Sequence, residues 1–284
     1  MDEDVRAARS ADRRGRAIDV LVTVKATPQP STAYGETVCV AGVALDPLRL
    51  VRLYPVPFRF LTEAQRFPKY SIVRVRVRDA GTDARPESLK IDATSVTILR
   101  SVDGWPARAP YIEPVIGGSM CSLAAGAGAD PNAASLGLVA VGSFLGVDVA
   151  PHPGWSPAEL ERFSRFAEQG DLFRADVPRM RQAPRFKAWL RFTCPEAACV
   201  RPHRAGILDW ELTALQGRLH DRPDSEVVHA IRNKFGTQMF APGRAPALYL
   251  GNQENIVRRR QFMVLGTYYP PAGLARSPLF LDGL

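Results

Sequence analysis

Apolar and polar positions follow two different periods along this chain, and the period changes near its middle. Up to about residue 102 the signals are those of strands. Residues 18–26 (IDVLVTVKA) form an almost unbroken apolar run, and residues 37–45 (TVCVAGVAL) and 71–79 (SIVRVRVRD) are short, rich in β-branched side chains and bounded by turn formers. Each predicts a strand. Residues 49–61 (RLVRLYPVPFRFL) add a strand that Pro55 and Pro57 push to a sheet edge, and residues 90–102 add a fifth. Strands that follow one another with no helical period between them pair antiparallel, so an N-terminal antiparallel β barrel or curled sheet is expected.

Helical periodicity appears only in the second half. Trp155-Ser156-Pro157-Ala158-Glu159-Leu160 carries an N-cap, a first-turn proline, a capping-box glutamate and a hydrophobic staple of Trp155 on Leu160. The helix it starts is expected to run to Gly170 with Leu160, Phe163 and Phe166 inward. Leu208, Leu212, Leu215 and Leu219 give a second helix its stripe, and Val227, Val228, Ile231 and Phe235 a third, stopped by Gly236. Residues 186–194, 247–251 and 261–269 read as strands. Residues 138–149 read as a strand pair that either half can claim.

The pattern therefore predicts an α+β protein: a barrel or curled sheet followed by an α+β half with two to three helices. Between them, residues 119–135 are small, almost uncharged and rich in Gly and Ala, and read as a linker or loop. The expected division is a mobile tail (1–17), a β-rich domain with a basic face (18–118), that linker, and an α+β domain (136–284). The tail holds five arginines and four acids with no large apolar side chain besides Met1 and Val5.

Composition narrows the class. With 46% hydrophobic and 23% charged residues the chain is globular, and neither an apolar span nor a signal-like N-terminus appears, so a cytoplasmic protein is expected. The preference for Arg over Lys points to a GC-rich bacterial genome. A net charge of +8 favours polyanions, with nucleic acid as the expected partner. In residues 71–79 the strand period places Val73, Val75 and Val77 on one face and Arg74, Arg76 and Arg78 on the other, guanidiniums about 6.5–7 Å apart, suited to successive phosphates. Arg52, Arg59 and Tyr54 would join them, the tyrosine stacking a base, with Arg49, Arg66 and Lys69 nearby. Residues 257–261 (VRRRQ) form a second basic cluster.

The candidate chemistry lies in residues 191–221. Cys194-x4-Cys199-x3-His203 has the donor types and short spacing of a zinc site, and three readings stay open: structural zinc, catalytic zinc or a Cys199–His203 nucleophile pair, and a metal-free turn. Asp209 or Glu211 would be the nearest fourth ligand or orienting acid. His229, Cys121 or Cys39 would have to fold over from elsewhere. Lys25, Tyr34 and Glu36 form a weaker acid, base and anion-binding set. Phosphate-binding glycine loops, the Gly-x-Ser-x-Gly elbow, His-Glu-x-x-His and the zinc-deaminase signature are all missing from the sequence. These residues lead to the expectation of a nucleic-acid-binding or nucleic-acid-processing protein with a zinc-stabilised Cys/Cys/His loop, and alternatively of a zinc- or Cys-dependent enzyme on a small anionic substrate.

Overall fold

A computed structural model of the chain describes residues 15–32, 35–58, 61–81, 83, 85–168 and 182–274. The first strand explains its own composition. Strand β1 (Arg16–Lys25) is covered on both sides, with Val20 and Val22 inside a barrel and Leu21 and Val24 against the C-terminal half. That double burial is why its sequence is apolar almost throughout rather than alternating.

Strands β3 (Gly35–Leu45) and β4 (Leu48–Val56) continue antiparallel from β1, and β6 (Ser88–Ile91) pairs parallel with β4 and antiparallel with β5 (Ser71–Asp79). Strand β5 then pairs with β1, which closes a five-stranded barrel. Short β2 (Gln29–Ser31) and β7 (Thr97–Ser101) extend it at β3 and β5. Valines from β1, β3, β4 and β5 and Leu89 from β6 fill the interior, Val73, Val75 and Val77 each about 1% exposed. Closure removes the edges of the five barrel strands, so β4 is an inner strand and not the edge its prolines predict.

Two three-stranded antiparallel sheets follow. Strands β8 (Leu136–Ala140), β12 (Ala247–Asn252) and β13 (Phe262–Tyr268) form one; β9 (Ser143–Pro151), β10 (Phe186–Thr193) and β11 (His203–Gly206) form the other. The pair expected over residues 138–149 thus separates, one strand to each sheet. Helix α1 (Trp105–Ile112) leaves the barrel, and α2 (Met120–Ala129) occupies the segment expected as a linker. Its glycines are packing positions: a Cβ on Gly128 would lie 2.9 Å from the Arg260 side chain, and one on Gly137 of the neighbouring strand 2.6 Å from Leu123.

Helix α3 (Pro157–Glu168) starts with the expected capping box, Ser156 N and Oγ donating to Glu159 Oε2 at 2.7 and 2.6 Å. The staple differs: Trp155 meets Phe163 edge-on while Leu160 is 40% exposed, because Phe163 is the side chain that faces inward. Its expected end at Gly170 lies outside the described residues. Helix α4 (Trp210–Arg218) begins two residues after Leu208, and α5 (Asp224–Arg232) runs on through a π turn (Asn233–Gln238) past Gly236. Gly236 is a contact point against Val147 and Phe144, not a stop. Among the described residues no helix is long and apolar enough to cross a membrane.

Candidate functional site

Strand β10 carries the chain to Cys194, a tight turn brings Cys199 back over it, and His203 opens β11 alongside. The Cys194 N–H donates to Cys199 Sγ at 3.2 Å, which fixes the turn. Opposite, Ser119 caps α2 and Cys121 is the second residue of that helix. His203 Nε2 then lies 3.3 Å from the sulfur of each of Cys121, Cys194 and Cys199. All four donor atoms fall within 4.8 Å of one another.

Three thiols and an imidazole at these separations match the edges of a tetrahedron built on metal–sulfur bonds of about 2.3 Å and metal–nitrogen bonds of about 2.0 Å. The cluster can hold a metal ion. Its electrostatics show what the site lacks without one. Burial, and after it the neighbouring thiols of Cys199 and Cys194, push the Cys121 thiol up to about 12. Burial likewise raises Cys194, opposed by the backbone N–H groups of Cys121 and Met120 at the start of α2, and it lowers His203. A cation at the centre would reverse the thiol shifts by favouring thiolate.

The fourth donor is therefore Cys121, and the carboxylates expected nearer by are engaged elsewhere. Asp209 caps α4, accepting from the Glu211 N–H at 2.9 Å, and its other oxygen lies 3.7 Å from Lys69 Nζ. Glu211 joins Lys69 and Lys234. His229 lies exposed on α5, Cys39 sits on β3 and His220 Nδ1 lies near the Gly217 carbonyl. Cys121 was one of three distant candidates and could not be singled out from them, because the serine capping box that starts its helix, Ser119 with Ser122, is a faint signal inside a run of Gly and Ala. The four expected catalytic candidates do not converge: Cys199 and His203 share the thiol cluster, Asp209 pairs with Lys69, and Glu36 is buried on β3. Lys25 packs under Phe58 and Phe67, where burial and then Lys69 lower it to about 8, and Tyr34 lies outside the described residues.

The arginine row divides in the same way. Arg74, Arg76 and Arg78 all project outward from β5. Arg74 is paired bidentately with Asp19 of β1, at 2.7 and 2.8 Å, whereas Arg76 and Arg78 make no ion pair among the described residues. Lys90 stands opposite Arg78, and these cations line an open groove of about 510 Å³ with Pro55 and Pro57. Arg52 is absent from this face. It is 1% exposed, Nη1 donating to Ser135 Oγ at 2.8 Å and Ser88 Oγ at 3.1 Å, because β4 turns it toward the C-terminal half. Tyr54 is exposed beside that inner region, Lys69 is spent on Asp209 and Glu211, and Arg59 lies outside the described residues. In the second basic cluster Arg258 and Arg260 are exposed and Arg259 is buried.

No curated protein matches the sequence. Among solved structures, a murine DNA-binding protein bound with double-stranded DNA superposes at a TM-score of 0.31 with 7% identity, over 89% of this chain and 94% of that one. The tetrameric p202 HIN2 superposes at 0.30 with 8% identity, over 91% and 94%. Likenesses of that order define neither the fold nor a partner. Residues 16–114, the barrel and its extensions, match the family described as Domain of unknown function (DUF8758). Residues 116–282 match the one described as Domain of unknown function (DUF8757), and all four cluster donors lie inside that match. Since it spans more than half of the sequence, the chain belongs to the family described as Domain of unknown function (DUF8757).

Proposed function

We propose that this chain is a nucleic-acid-binding protein that holds backbone phosphate on the outer face of β5 and a structural zinc ion between Cys121, Cys194, Cys199 and His203. The observation that carries the binding reading is the groove beside β5, where Arg76, Arg78 and Lys90 lie together against one lining carboxylate, Asp92, which accepts from Thr94 and is in ion-pair distance of none of them. Exposed guanidiniums at strand spacing attract phosphate by charge and by hydrogen-bond geometry. The net charge of +8 extends that field over the molecule. Recognition at such a face is of the backbone first, since a row of guanidiniums offers donors alone and no acceptor with which to read a base edge fully.

Zinc is favoured by the donor set. Thiolates exclude hard cations such as Mg²⁺ and Ca²⁺, and the mixed sulfur–nitrogen tetrahedron suits Zn²⁺. Four protein donors also close the coordination sphere, where a catalytic zinc keeps one position for water, so the ion's role is to tie α2 to the β10–β11 turn. The setting that fits is the bacterial cytoplasm, whose reducing conditions keep the thiols available.

Fluorescence anisotropy with labelled single- and double-stranded oligonucleotides across a salt series tests the face. The Arg76→Glu/Arg78→Glu variant is expected to bind at least about tenfold more weakly and to lose about two from the salt slope. Equal affinity and slope in the variant would refute the reading. Elemental analysis of untagged protein is expected to return one zinc per chain.

A further inference from the structure

A second cavity, of about 560 Å³, lies on the other side of the molecule's arginines, where the barrel meets the C-terminal half. Its volume is in the range of sites for small ligands, and the junction of two structural units is where such sites recur. Its wall and mouth carry Trp155 and Trp189, both half-buried, with Tyr54 exposed on the barrel side. Its depth carries a cation with no direct carboxylate partner among the described residues. Arg52 is buried and makes no direct ion pair: its guanidinium donates to Ser88 and Ser135, the Glu87 carboxylate stands one step behind Ser135, and the acids of the lining, Glu159 and Glu254, make no ion pair with it. The neighbouring Arg85 differs, being clamped on both oxygens of Asp83. A buried guanidinium whose nearest carboxylate is reached only through a hydroxyl is partly uncompensated, and an anion that enters beside it gains a direct charge-assisted hydrogen bond.

Two more polar groups are in place. Asn252 is 5% exposed and lines the same cavity; its Nδ2 donates to the Arg259 carbonyl, and its Oδ1 has no hydrogen-bond partner among the described residues. His152 Nδ1 accepts from the Gly154 N–H at 3.0 Å, which leaves Nε2–H of the neutral ring as a donor at the mouth.

We infer that this cavity is a nucleotide site, taking a planar heteroaromatic base against the tryptophans and its anionic group toward Arg52. Aromatic faces hold any base by stacking, a guanidinium without a direct carboxylate partner holds phosphate, and a lone amide acceptor suits a ring or exocyclic N–H. The same chemistry has two sources, a free nucleotide or one unit of a strand carried on the β5 face. Only the second rests on the proposed function.

The test has an arm for each. Free nucleoside monophosphates are titrated into the intact protein and followed by calorimetry and tryptophan fluorescence. Trp105 and Trp210 pack against Tyr268, Tyr269 and Phe58, so a change is expected to come from the cavity. One-to-one binding is expected, weakened about tenfold or more in Arg52→Gln and, should that variant not fold, in Trp155→Ala. In the second arm an oligonucleotide carrying a fluorescent adenine analogue is expected to be quenched by tryptophan on binding to the native chain and to stay brighter on Trp155→Ala. If no monophosphate binds up to about 5 mM and the analogue's emission is the same on the native chain and on Trp155→Ala, the inference is wrong. Monophosphate binding retained in Arg76→Glu/Arg78→Glu supports it whether or not that variant still binds strands, so its fate is separate from that of the barrel face.

Discussion

At the scale of single residues the most consequential cluster is the one that looked like chemistry and is structural. Lys69, from the turn before β5, is buried between Asp209 and Glu211 of the other half, and Glu211 also takes Lys234 at 2.6 Å. Burial works against ionising Glu211, but the two lysines prevail and hold its carboxyl at about 2, below its ordinary 4.5. Asp209, deeper, is raised by burial in spite of Lys69. A depressed acid stabilises the fold above its unfolded value and loses that contribution as pH falls through the folded one. Glu211→Gln is therefore expected to cost on the order of 1 kcal/mol at neutral pH, the full shift being discounted for the solvent that reaches this side chain. The deficit should shrink between about pH 4.5 and 2, where both proteins carry a neutral group; a deficit constant across denaturant melts in that window would contradict the assignment. Sequence spacing could not separate these roles. An aspartate between a strand and a helix is equally a cap, a base or a ligand, and what decides is Lys69, 140 positions away in the sequence of Asp209.

At the scale of elements, the Cys/His cluster depends on a residue that is not one of its donors. A Cβ on Gly142 would lie 2.4 Å from the Cys194 carbonyl oxygen and 2.7 Å from its carbon, and the Gly142 N–H donates to the Thr193 carbonyl at 2.8 Å. Any side chain there must push back the backbone that aims the Cys194 sulfur. Gly142→Ala is expected to retain the fold by circular dichroism yet release zinc at least about tenfold more readily to a competing chelator, as loss of ligand support does elsewhere. Unchanged release would mean that the turn has slack the packing does not show. The longer strands of both halves were legible because their periods are strong and local, as was the start of α3, whereas the strand expected over 90–102 divides into β6 and β7 and short β2 and β11 were not read as strands. Helix α2 was not, since close packing against β8 and Arg260 demands small residues and so erases the amphipathic signal. With α2 read as a linker, Cys121 looked like a stray thiol and the cluster stood one donor short.

At the scale of the molecule, the question is whether the barrel and the half that follows are separable, as their distinct patterns imply and their interface denies. The barrel strand β1 turns Leu21 and Val24 onto Leu136, Leu138, Tyr249 and Leu265, and its end bridges Ala26 to Asp209. Charges cross the same boundary: Arg52 donates to Ser135, Arg85 to the Asn252 carbonyl, and Lys69 to Glu211. Cutting the chain at residue 118 takes both carboxylates from Lys69, leaves Arg52 with Ser88 and Arg85 with Asp83, and so costs about 1–3 kcal/mol for each lost bond to a charged group, besides uncovering one side of β1. Such a sum exceeds what a domain of this size can spare from a total of about 5–15 kcal/mol. We expect residues 15–118 expressed alone to bind a hydrophobic dye and melt without cooperativity, the full chain to unfold in one calorimetric transition, and residues 119–284 added in trans to restore order to the barrel fragment. A fragment that melts sharply near the temperature of the full chain would show instead that the barrel's valines suffice, and that the crossing charges serve the cavity at the junction rather than the fold.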